Sequence, residues 1–208
     1  MSLIVSPSTA PYIGIPLRGR ISGFRRFSVA EYHQLIDIGM LTEDDDLELL
    51  DGHLVRKMSK GPIHDGTLSK VEKRLLKVLP SGWDTRNQSV LTLSCSEPEP
   101  DLLIALVDPD EYMTRHPTPV DTGVVIEVSN STLDTDREDK GILYAADSIP
   151  TYWIVNLIDN IIEVYTDPDS AAEPPAYRTR TDYAPGQTVP LVLDGVTVAM
   201  IPVADLLP

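Results

Sequence analysis

The chain has 208 residues, 42% of them hydrophobic, which is enough to bury a core of ordinary size. Its 32 acidic and 17 basic residues give a formal net charge of −15, which disfavours tight binding to a polyanion through the overall field of the protein. We expect a single α/β domain over residues 24–208 behind an irregular arm over residues 1–23.

The sequence lacks the signatures of several functional classes. The single cysteine, Cys95, cannot form an internal disulfide and favours a reducing, cytoplasmic setting. The four histidines are too dispersed for a zinc site, and the chain has neither a glycine-rich phosphate loop nor a GxSxG motif. The arm does not resemble a secretion signal, and no segment is long and apolar enough to span a membrane.

The first predicted elements are a helix and a hairpin. Ser28 and Glu31 have the spacing of a capping box, before a helix that runs to Ile38 and is stopped by Gly39. Asp51-Gly52 is a strong two-residue hairpin signal, because both turn positions tolerate positive φ. Glu48 then lies on a hairpin strand, although it also follows an acidic run that is typical of a solvated turn.

Two basic segments could contact phosphates. The arm leads into a cluster of four arginines, and a helix with apolar spacing from about Ile63 to Leu79 carries basic residues on its other faces. The arm could instead simply solvate the terminus, and an ordinary solvated helix face is the interpretation that we favour for the helix cations. His64, near the helix start, either makes a backbone contact or belongs to a site. The basic residues are Arg18, Arg20, Arg25 and Arg26 in the arm, and Lys70, Lys73, Arg74 and Lys77 in the helix.

Two acids interrupt apolar runs. Asp101 opens the run Leu102 to Val107, and Glu127 lies inside the run Val124 to Val128, so each falls on or beside a predicted buried strand. A buried carboxylate needs a partner or a metal. Magnesium typically takes one or two carboxylates together with waters and a substrate phosphate. Asp101 and Glu127 are therefore candidate magnesium ligands.

A lysine follows these acids on a predicted helix from about Asp134 to Ala146. Asp136, Lys140 and Tyr144 recur at four-residue spacing and therefore share one helix face. A lysine beside a metal site can hold the attacking water or stabilise the leaving oxygen in phosphodiester hydrolysis. Lys140 is the candidate for this role, although an Asp/Lys pair four residues apart is also common helix decoration.

The remaining elements are predicted as strands. Runs at Thr151–Asn156 and Ile161–Tyr165 are joined through Asp159-Asn160 as a second hairpin, with Tyr152 and Trp153 in the core. Shorter β-like segments at 177–182 and 196–200 extend or flank the sheet.

These residues together resemble the Uma-type family of proposed restriction endonucleases, members of the PD-(D/E)xK nuclease superfamily in which the motif lysine has moved to the following helix. The resemblance covers about residues 24–165. The segments that carry it are FSVAEYHQLI (27–36), LELLDGHLV (47–55), His64, PEPD (98–101), VIEVSNST (125–132) and DREDKGILYAADSIPTYWIVN (136–156).

The resemblance implies a restriction endonuclease-like α/β fold, with a central mixed β-sheet flanked by α-helices and an additional β-hairpin region. It implies Asp101 and Glu127 as metal ligands, Lys140 as the displaced lysine, and the backbone carbonyl of Val128 as a further ligand. Ser129 occupies the position of the lysine in the ordinary motif. Glu48 matches an acid that approaches the metal, and Asp136 matches the acid that precedes the lysine.

The functional expectation is Mg²⁺-dependent hydrolysis of DNA phosphodiester bonds, with Mn²⁺ as a second usable ion. DNA binding should be weak and salt-sensitive, and a homodimer would supply two sites for cutting two strands. Two alternatives stay open at this point. One is a catalytically degenerate nuclease fold that binds nucleic acid or a protein, and the other is a two-carboxylate hydrolase of a neutral substrate such as a glycoside.

Overall fold

The computed structural model describes residues 25–208, whose ten strands and four α-helices are built around one large sheet. The strands are β1 Leu47–Leu50, β2 His53–Arg56, β3 Trp83–Asn87, β4 Leu102–Leu106, β5 Thr122–Ser129, β6 Thr151–Asn156, β7 Ile161–Asp169, β8 Ala176–Tyr183, β9 Thr188–Leu193 and β10 Val196–Pro202. The helices are α1 Val29–Asp37, α2 Pro62–Leu75, α3 Leu133–Thr135 and α4 Gly141–Ala146. A π-helical segment, Asp136–Lys140, joins α3 to α4. We call α3, this segment and α4 together the site helix.

The central sheet has six strands in the order β3-β4-β5-β6-β7-β8. Only β5 and β6 are parallel, and every other neighbouring pair in this sheet is antiparallel. A parallel pair needs a crossover connection, which the site helix supplies between β5 and β6. The expected mixed sheet is therefore confirmed, and the strand pairs β1-β2 and β9-β10 form two separate hairpins.

Two hydrophobic cores lie on opposite faces of this sheet. Alternate residues of β5 point to opposite faces, as the period of a strand requires. Val124, Ile126 and Val128 pack with α2 and with the β9-β10 hairpin. Val125 packs on the other face with Tyr144 of the site helix. The helices therefore flank the sheet on both sides.

Local sequence signals account for the first helix and the first hairpin. Both reciprocal bonds of the capping box between Ser28 and Glu31 are present at the start of α1. Asp51 and Gly52 have φ values of 46° and 74°, the positive values that a tight two-residue hairpin turn needs. The pairing Leu50↔His53 closes this hairpin at the predicted place.

Helix α2 is shorter than its apolar pattern predicted, and two of its four basic residues contact the C-terminal segment. It ends at Leu75, where the N–H groups of Val78 and Leu79 both bond to the Leu75 carbonyl and tighten the chain. Lys70 donates to the carbonyls of Ala204 and Leu207, and Arg74 pairs with Asp205 at 3.1 Å. These two cations therefore hold the C-terminal residues against α2 and are not free for phosphates.

The second half of the chain confirms the predicted strands and adds others. Thr151–Asn156 has the predicted bounds, and Tyr152 and Trp153 are fully buried. Strand β7 continues to Asp169, beyond the predicted Tyr165. The β-like segments of the tail lie in β8, which extends the sheet, and β10, which flanks it. Strands β3 and β9 were not predicted.

The predicted arm over residues 1–23, with Arg18 and Arg20, lies outside the described residues, so the division into arm and domain stays a prediction. Among residues 25–208, no helix has both the length and the apolar character needed to cross a membrane.

Gly123 in β5 gives a test of the packing between the sheet and the β9-β10 hairpin. A Cβ at this position would lie 2.6 Å from side-chain atoms of both Trp83 and Leu193. We expect Gly123→Ala to destabilise the protein by about 1–3 kcal/mol in urea denaturation, because rigid groups would have to move. Gly66→Ala is the matched control, since a Cβ there meets nothing within 4 Å on a helix.

The control should be stabilised by about 0.5–1 kcal/mol, because alanine favours the helix. Equal effects of the two substitutions would contradict the packing described for β5.

Candidate active site

The pairing of β4 with β5 brings the two candidate acids together. In this register Leu102 lies opposite Ile126, so the residue before Leu102 lies next to the residue after Ile126. The Asp101 backbone N–H donates to Glu127 Oε2 at 3.3 Å, and the Val128 N–H donates to Asp101 Oδ2 at 2.8 Å. Both carboxylates are buried. Two anions therefore lie side by side where two central strands meet.

Asp101 is held by cationic or hydrogen-bonding groups from the N-terminal half of the chain. His64 Nε2, in the first turn of α2, lies 2.9 Å from Asp101 Oδ2. Lys60, from the loop between β2 and α2, places Nζ 2.7 Å from Asp101 Oδ1. Asp101 Oδ2 thus has two partners, His64 and the Val128 backbone N–H. Asp101 Oδ1 is paired with Lys60, whose side chain is 31% exposed.

Glu127 is held from the other face of the sheet by the site helix. Lys140 Nζ donates to Glu127 Oε1 at 2.8 Å, and the Tyr144 hydroxyl donates to the same oxygen at 2.9 Å. The predicted shared face of Asp136, Lys140 and Tyr144 therefore does point at the acids. Lys140 is only 13% exposed, so its ion pair is protected from solvent.

A buried hydrogen bond positions the lysine. Ser129 Oγ donates to Asp136 Oδ2 at 2.7 Å, and Asp136 Oδ1 lies 3.6 Å from Lys140 Nζ. The Tyr152 hydroxyl donates to the Asp136 backbone carbonyl at 3.0 Å. The position where the ordinary motif carries lysine thus holds a serine that anchors the acid beside the displaced lysine. Asp136 and Lys140 begin and end the π-helical segment, a distortion that is frequent at functional sites.

These groups line a cavity of about 360 Å³ between the β1-β2 hairpin, the start of α2 and the site helix. Glu48 of β1 also lines it, and its Oε2 accepts a hydrogen bond from the Glu99 backbone N–H at 3.1 Å. The structure therefore brings together all the predicted site residues. They are Glu48, His64, Asp101, Glu127, Val128, Asp136 and Lys140.

The pKa values of the two acids are shifted in opposite directions. Burial raises the pKa of Glu127, and the negative charges of Asp101 and Asp136 raise it further against the opposing effect of Lys140. Burial would also raise the pKa of Asp101, but His64 and Lys60 outweigh it and lower that pKa. Burial would lower the pKa of Lys140, but Glu127, Asp136 and Glu48 raise it well above its ordinary value. These neighbouring acids therefore favour the charged form of Lys140.

The donor set fits a hard divalent cation. Two carboxylates and a strand carbonyl are oxygen donors, and Mg²⁺ binds through one or two carboxylates with water completing its shell. The N–H and C=O of one strand residue point to the same side, so the bond from the Val128 N–H to Asp101 directs the Val128 carbonyl toward this pair. Within the described part of the chain, no three His, Cys, Asp or Glu side chains form a ligand cluster, so water would supply the other positions.

Sequence reasoning missed Lys60. It lies in the segment Arg56-Lys57-Met58-Ser59-Lys60, which has no periodic pattern, and its partner Asp101 is 41 positions away in the chain. The basic character of this loop, directly before a histidine that opens a helix, was the only available signal. His64 had been left ambiguous, and its contact with Asp101 places it at the site. Burial alone would lower its pKa, but the hydrogen bond that its ring makes to the Asp101 carboxylate raises it.

Comparison with known proteins identifies the family and a solved structure of similar fold. A family model described as "Uma2: Putative restriction endonuclease" matches residues 29–201. The chain belongs to the Uma2 family. No protein among those with curated functions matches. One solved structure with a similar fold is a "putative nuclease belonging to DUF820" from Anabaena variabilis, with a TM-score of 0.61 and 14% sequence identity. The match covers 83% of this chain and 96% of the other.

The restriction endonuclease-like fold expected from the sequence is thereby confirmed, and Uma2 membership supports nuclease function in general.

Glu127 gives a pH test of the buried pair. Its pKa is higher in the folded protein than in the unfolded chain, so the folded state binds more protons between the two values and its stability falls as pH rises through them. Glu127→Gln removes this titration. Both proteins are measured in EDTA. We expect the free energy of unfolding of the variant minus that of wild type to increase by more than about 1 kcal/mol between about pH 5 and pH 8.

The measurement is urea denaturation at several pH values. Glu138→Gln is the control, because Glu138 is exposed on the same site helix. Parallel stability curves for Glu127→Gln and wild type would contradict the buried, charge-crowded environment described for Glu127.

Proposed function

We propose that this protein is a divalent-metal-dependent endonuclease that hydrolyses DNA phosphodiester bonds, with Mg²⁺ as its ion and Mn²⁺ as a substitute. The observation that carries the proposal is the convergence of Asp101, Glu127 and Lys140 at one cavity, from β4, β5 and the site helix. Uma2 membership supports the same reaction class.

Asp101, Glu127 and the Val128 carbonyl would hold the ion. The chemistry that such an ion supplies is a lowered pKa for water and compensation of the negative charge that develops at phosphorus. Burial of both carboxylates supports this assignment, since adjacent buried anions are stabilised by a cation. Glu48 lines the same cavity and would approach the ion from the hairpin.

Lys140 acts as a fixed positive charge and hydrogen-bond donor. The negative charges of Glu127, Asp136 and Glu48 raise its pKa, which favours the ammonium form that donates hydrogen bonds. A buried ammonium aimed at the site can orient the attacking water and stabilise a leaving oxygen. Asp136 and Ser129 keep it in place through the contacts that join the site helix to β5.

The net charge of −15 limits nucleic-acid binding but does not prevent it. The cavity lining is itself net acidic, so bound divalent cations would supply part of the positive charge that faces a phosphate. Its four cations are Arg56, Lys57, Lys60 and Lys140, and its six acids are Glu48, Glu99, Asp101, Glu127, Asp136 and Asp139. Because few cations are involved, binding of DNA should be weak and sensitive to salt. Cutting of both strands would require two sites, and a homodimer in the cytoplasm is the arrangement that we propose.

Loss of any of the three central groups should abolish cleavage. We expect Asp101→Asn, Glu127→Gln and Lys140→Met each to lower metal-dependent nicking of supercoiled plasmid by at least about 100-fold, because the first two remove a carboxylate that would hold the ion and the third removes the ammonium that would stabilise developing negative charge. The assay is run at low salt with Mg²⁺ or Mn²⁺ and with EDTA. Lys73→Met is the matched control, since Lys73 is an exposed lysine of α2.

Nicking that persists in the three variants, or in EDTA, would contradict the proposal. Folding of each variant is checked by its unfolding midpoint, so that loss of structure is not mistaken for loss of chemistry.

A second candidate is a hydrolase of a neutral substrate. The opposite pKa shifts of Asp101 and Glu127 leave one carboxyl ionised and favour the protonated form of the other, the division that two-carboxylate hydrolases use. Such an activity would survive EDTA, whereas the nuclease would not. Metal-free hydrolysis of an aryl glycoside by wild type that Glu127→Gln abolishes would favour this candidate.

A degenerate fold would instead bind oligonucleotides without cleaving them under any of these conditions.

A further inference from the structure

Two ion pairs attach the loop between β2 and α2 to the site, and only one of them involves a candidate metal ligand. Lys57 Nζ lies 2.5 Å from Glu99 Oε2, and Lys60 Nζ lies 2.7 Å from Asp101 Oδ1. Glu99 is not a candidate metal ligand, whereas Asp101 is. The two lysines belong to one loop and line the same cavity, so they differ mainly in which carboxylate they neutralise.

The two oxygens of Asp101 differ in how firmly they are held. Oδ2 accepts from the Val128 backbone N–H at 2.8 Å and lies 2.9 Å from His64 Nε2. The first partner belongs to a central strand, and the second has a side chain only 11% exposed. Oδ1 contacts Lys60, whose long side chain reaches it from a loop and remains partly open to solvent. An incoming cation can therefore displace the partner of Oδ1 far more easily than either partner of Oδ2.

We propose that Lys60 is an exchangeable counterion and substrate-binding residue: it neutralises Asp101 Oδ1 while the metal is absent, yields that oxygen to the divalent cation, and then binds a phosphate oxygen of the nucleic acid. This inference rests on the proposed metal-dependent function. It assigns Oδ1 as the metal-facing oxygen and adds a second site lysine to Lys140. No covalent step is involved, since one cation replaces another at the same carboxylate.

The burial of the two site lysines supports their different roles. Lys140 is 13% exposed and contacts Glu127 beside a second acid, Asp136, so its position is fixed. Lys60 is 31% exposed at the cavity and has one anionic partner in the structure. A released Lys60 remains attached near the site, because Lys57 and Glu99 hold the same loop. Its ammonium is then available for a substrate phosphate in the same cavity.

The first test is a calorimetric titration of Mg²⁺ into wild type, Lys60→Met and Lys57→Met. Because Lys60 competes with the ion, Lys60→Met should bind Mg²⁺ roughly three- to tenfold more tightly than wild type. Lys57→Met removes the same charge from the same loop without freeing a candidate ligand, so its affinity should change less than about twofold. Unfolding midpoints in EDTA confirm that the variants are folded.

The second test is the salt dependence of binding to a labelled DNA duplex, measured with Ca²⁺ and with EDTA. Ca²⁺ is also a hard, oxygen-binding cation, and a gel verifies that the duplex stays intact. Each phosphate contact contributes about 0.9 to the slope of log affinity against log salt. Lys60→Met should lower this slope by about that amount in Ca²⁺ and leave it unchanged in EDTA, where Lys60 remains paired with Asp101.

The outcomes separate this inference from the proposed function. Wild type that binds Mg²⁺, together with a Lys60→Met variant that binds it equally or more weakly, would overturn the exchange and leave the metal site intact. A slope that falls equally in EDTA would also overturn it, because Lys60 would then bind phosphate without release from Asp101. Wild type that binds no divalent cation would overturn both.

Discussion

The structure depends on the burial of two neighbouring carboxylates, Asp101 and Glu127, where β4 meets β5. Buried anions are stable only with compensating partners, and here the partners come from both sides of the sheet. Lys60 and His64 approach Asp101 from the β2–α2 region, while Lys140 and Tyr144 approach Glu127 from the site helix. Elements that are distant in sequence are thereby attached to one point of the central sheet.

The connections around this point follow from ordinary backbone rules. The parallel pairing of β5 with β6 requires a crossover, and the crossover is the helical stretch that carries Lys140. On the opposite side, the segment Glu97-Pro98-Glu99-Pro100-Asp101 places an acid at every second residue, each paired with a different basic side chain. The pairs are Glu97 with His33, Glu99 with Lys57, and Asp101 with Lys60 and His64. This segment therefore attaches α1 and the loop after the hairpin to the strand that bears the site.

Sequence reasoning succeeded where a signal was local and periodic. The capping box at Ser28, the turn at Asp51-Gly52, the strand at Thr151–Asn156 and the helix face of Asp136, Lys140 and Tyr144 all depend on spacings within a few residues. The site residues were indicated by acids inside apolar runs and by the family resemblance. Their mutual contacts, which depend on the register of β4 against β5, could not be derived from a single sequence.

Other features carried no local signal. Strand β3 is polar and only partly buried, and β9 is interrupted by Pro190, so neither has a clear strand pattern. The basic face of α2 was expected to be solvated or, less readily, to bind phosphates, whereas Lys70 and Arg74 contact residues near the C-terminus. Lys60 lies in an irregular loop, and only the tertiary structure shows that it reaches Asp101.

An anomalous difference map from crystals grown with Mn²⁺ tests most directly whether Asp101 and Glu127 form a divalent-metal site. We expect one strong peak bonded to both carboxylates and to the Val128 carbonyl, with Lys60 Nζ no longer in contact with Asp101 Oδ1. Crystals with Mn²⁺ bound elsewhere, or with no peak at these residues and the Lys60 ion pair intact, would contradict this expectation.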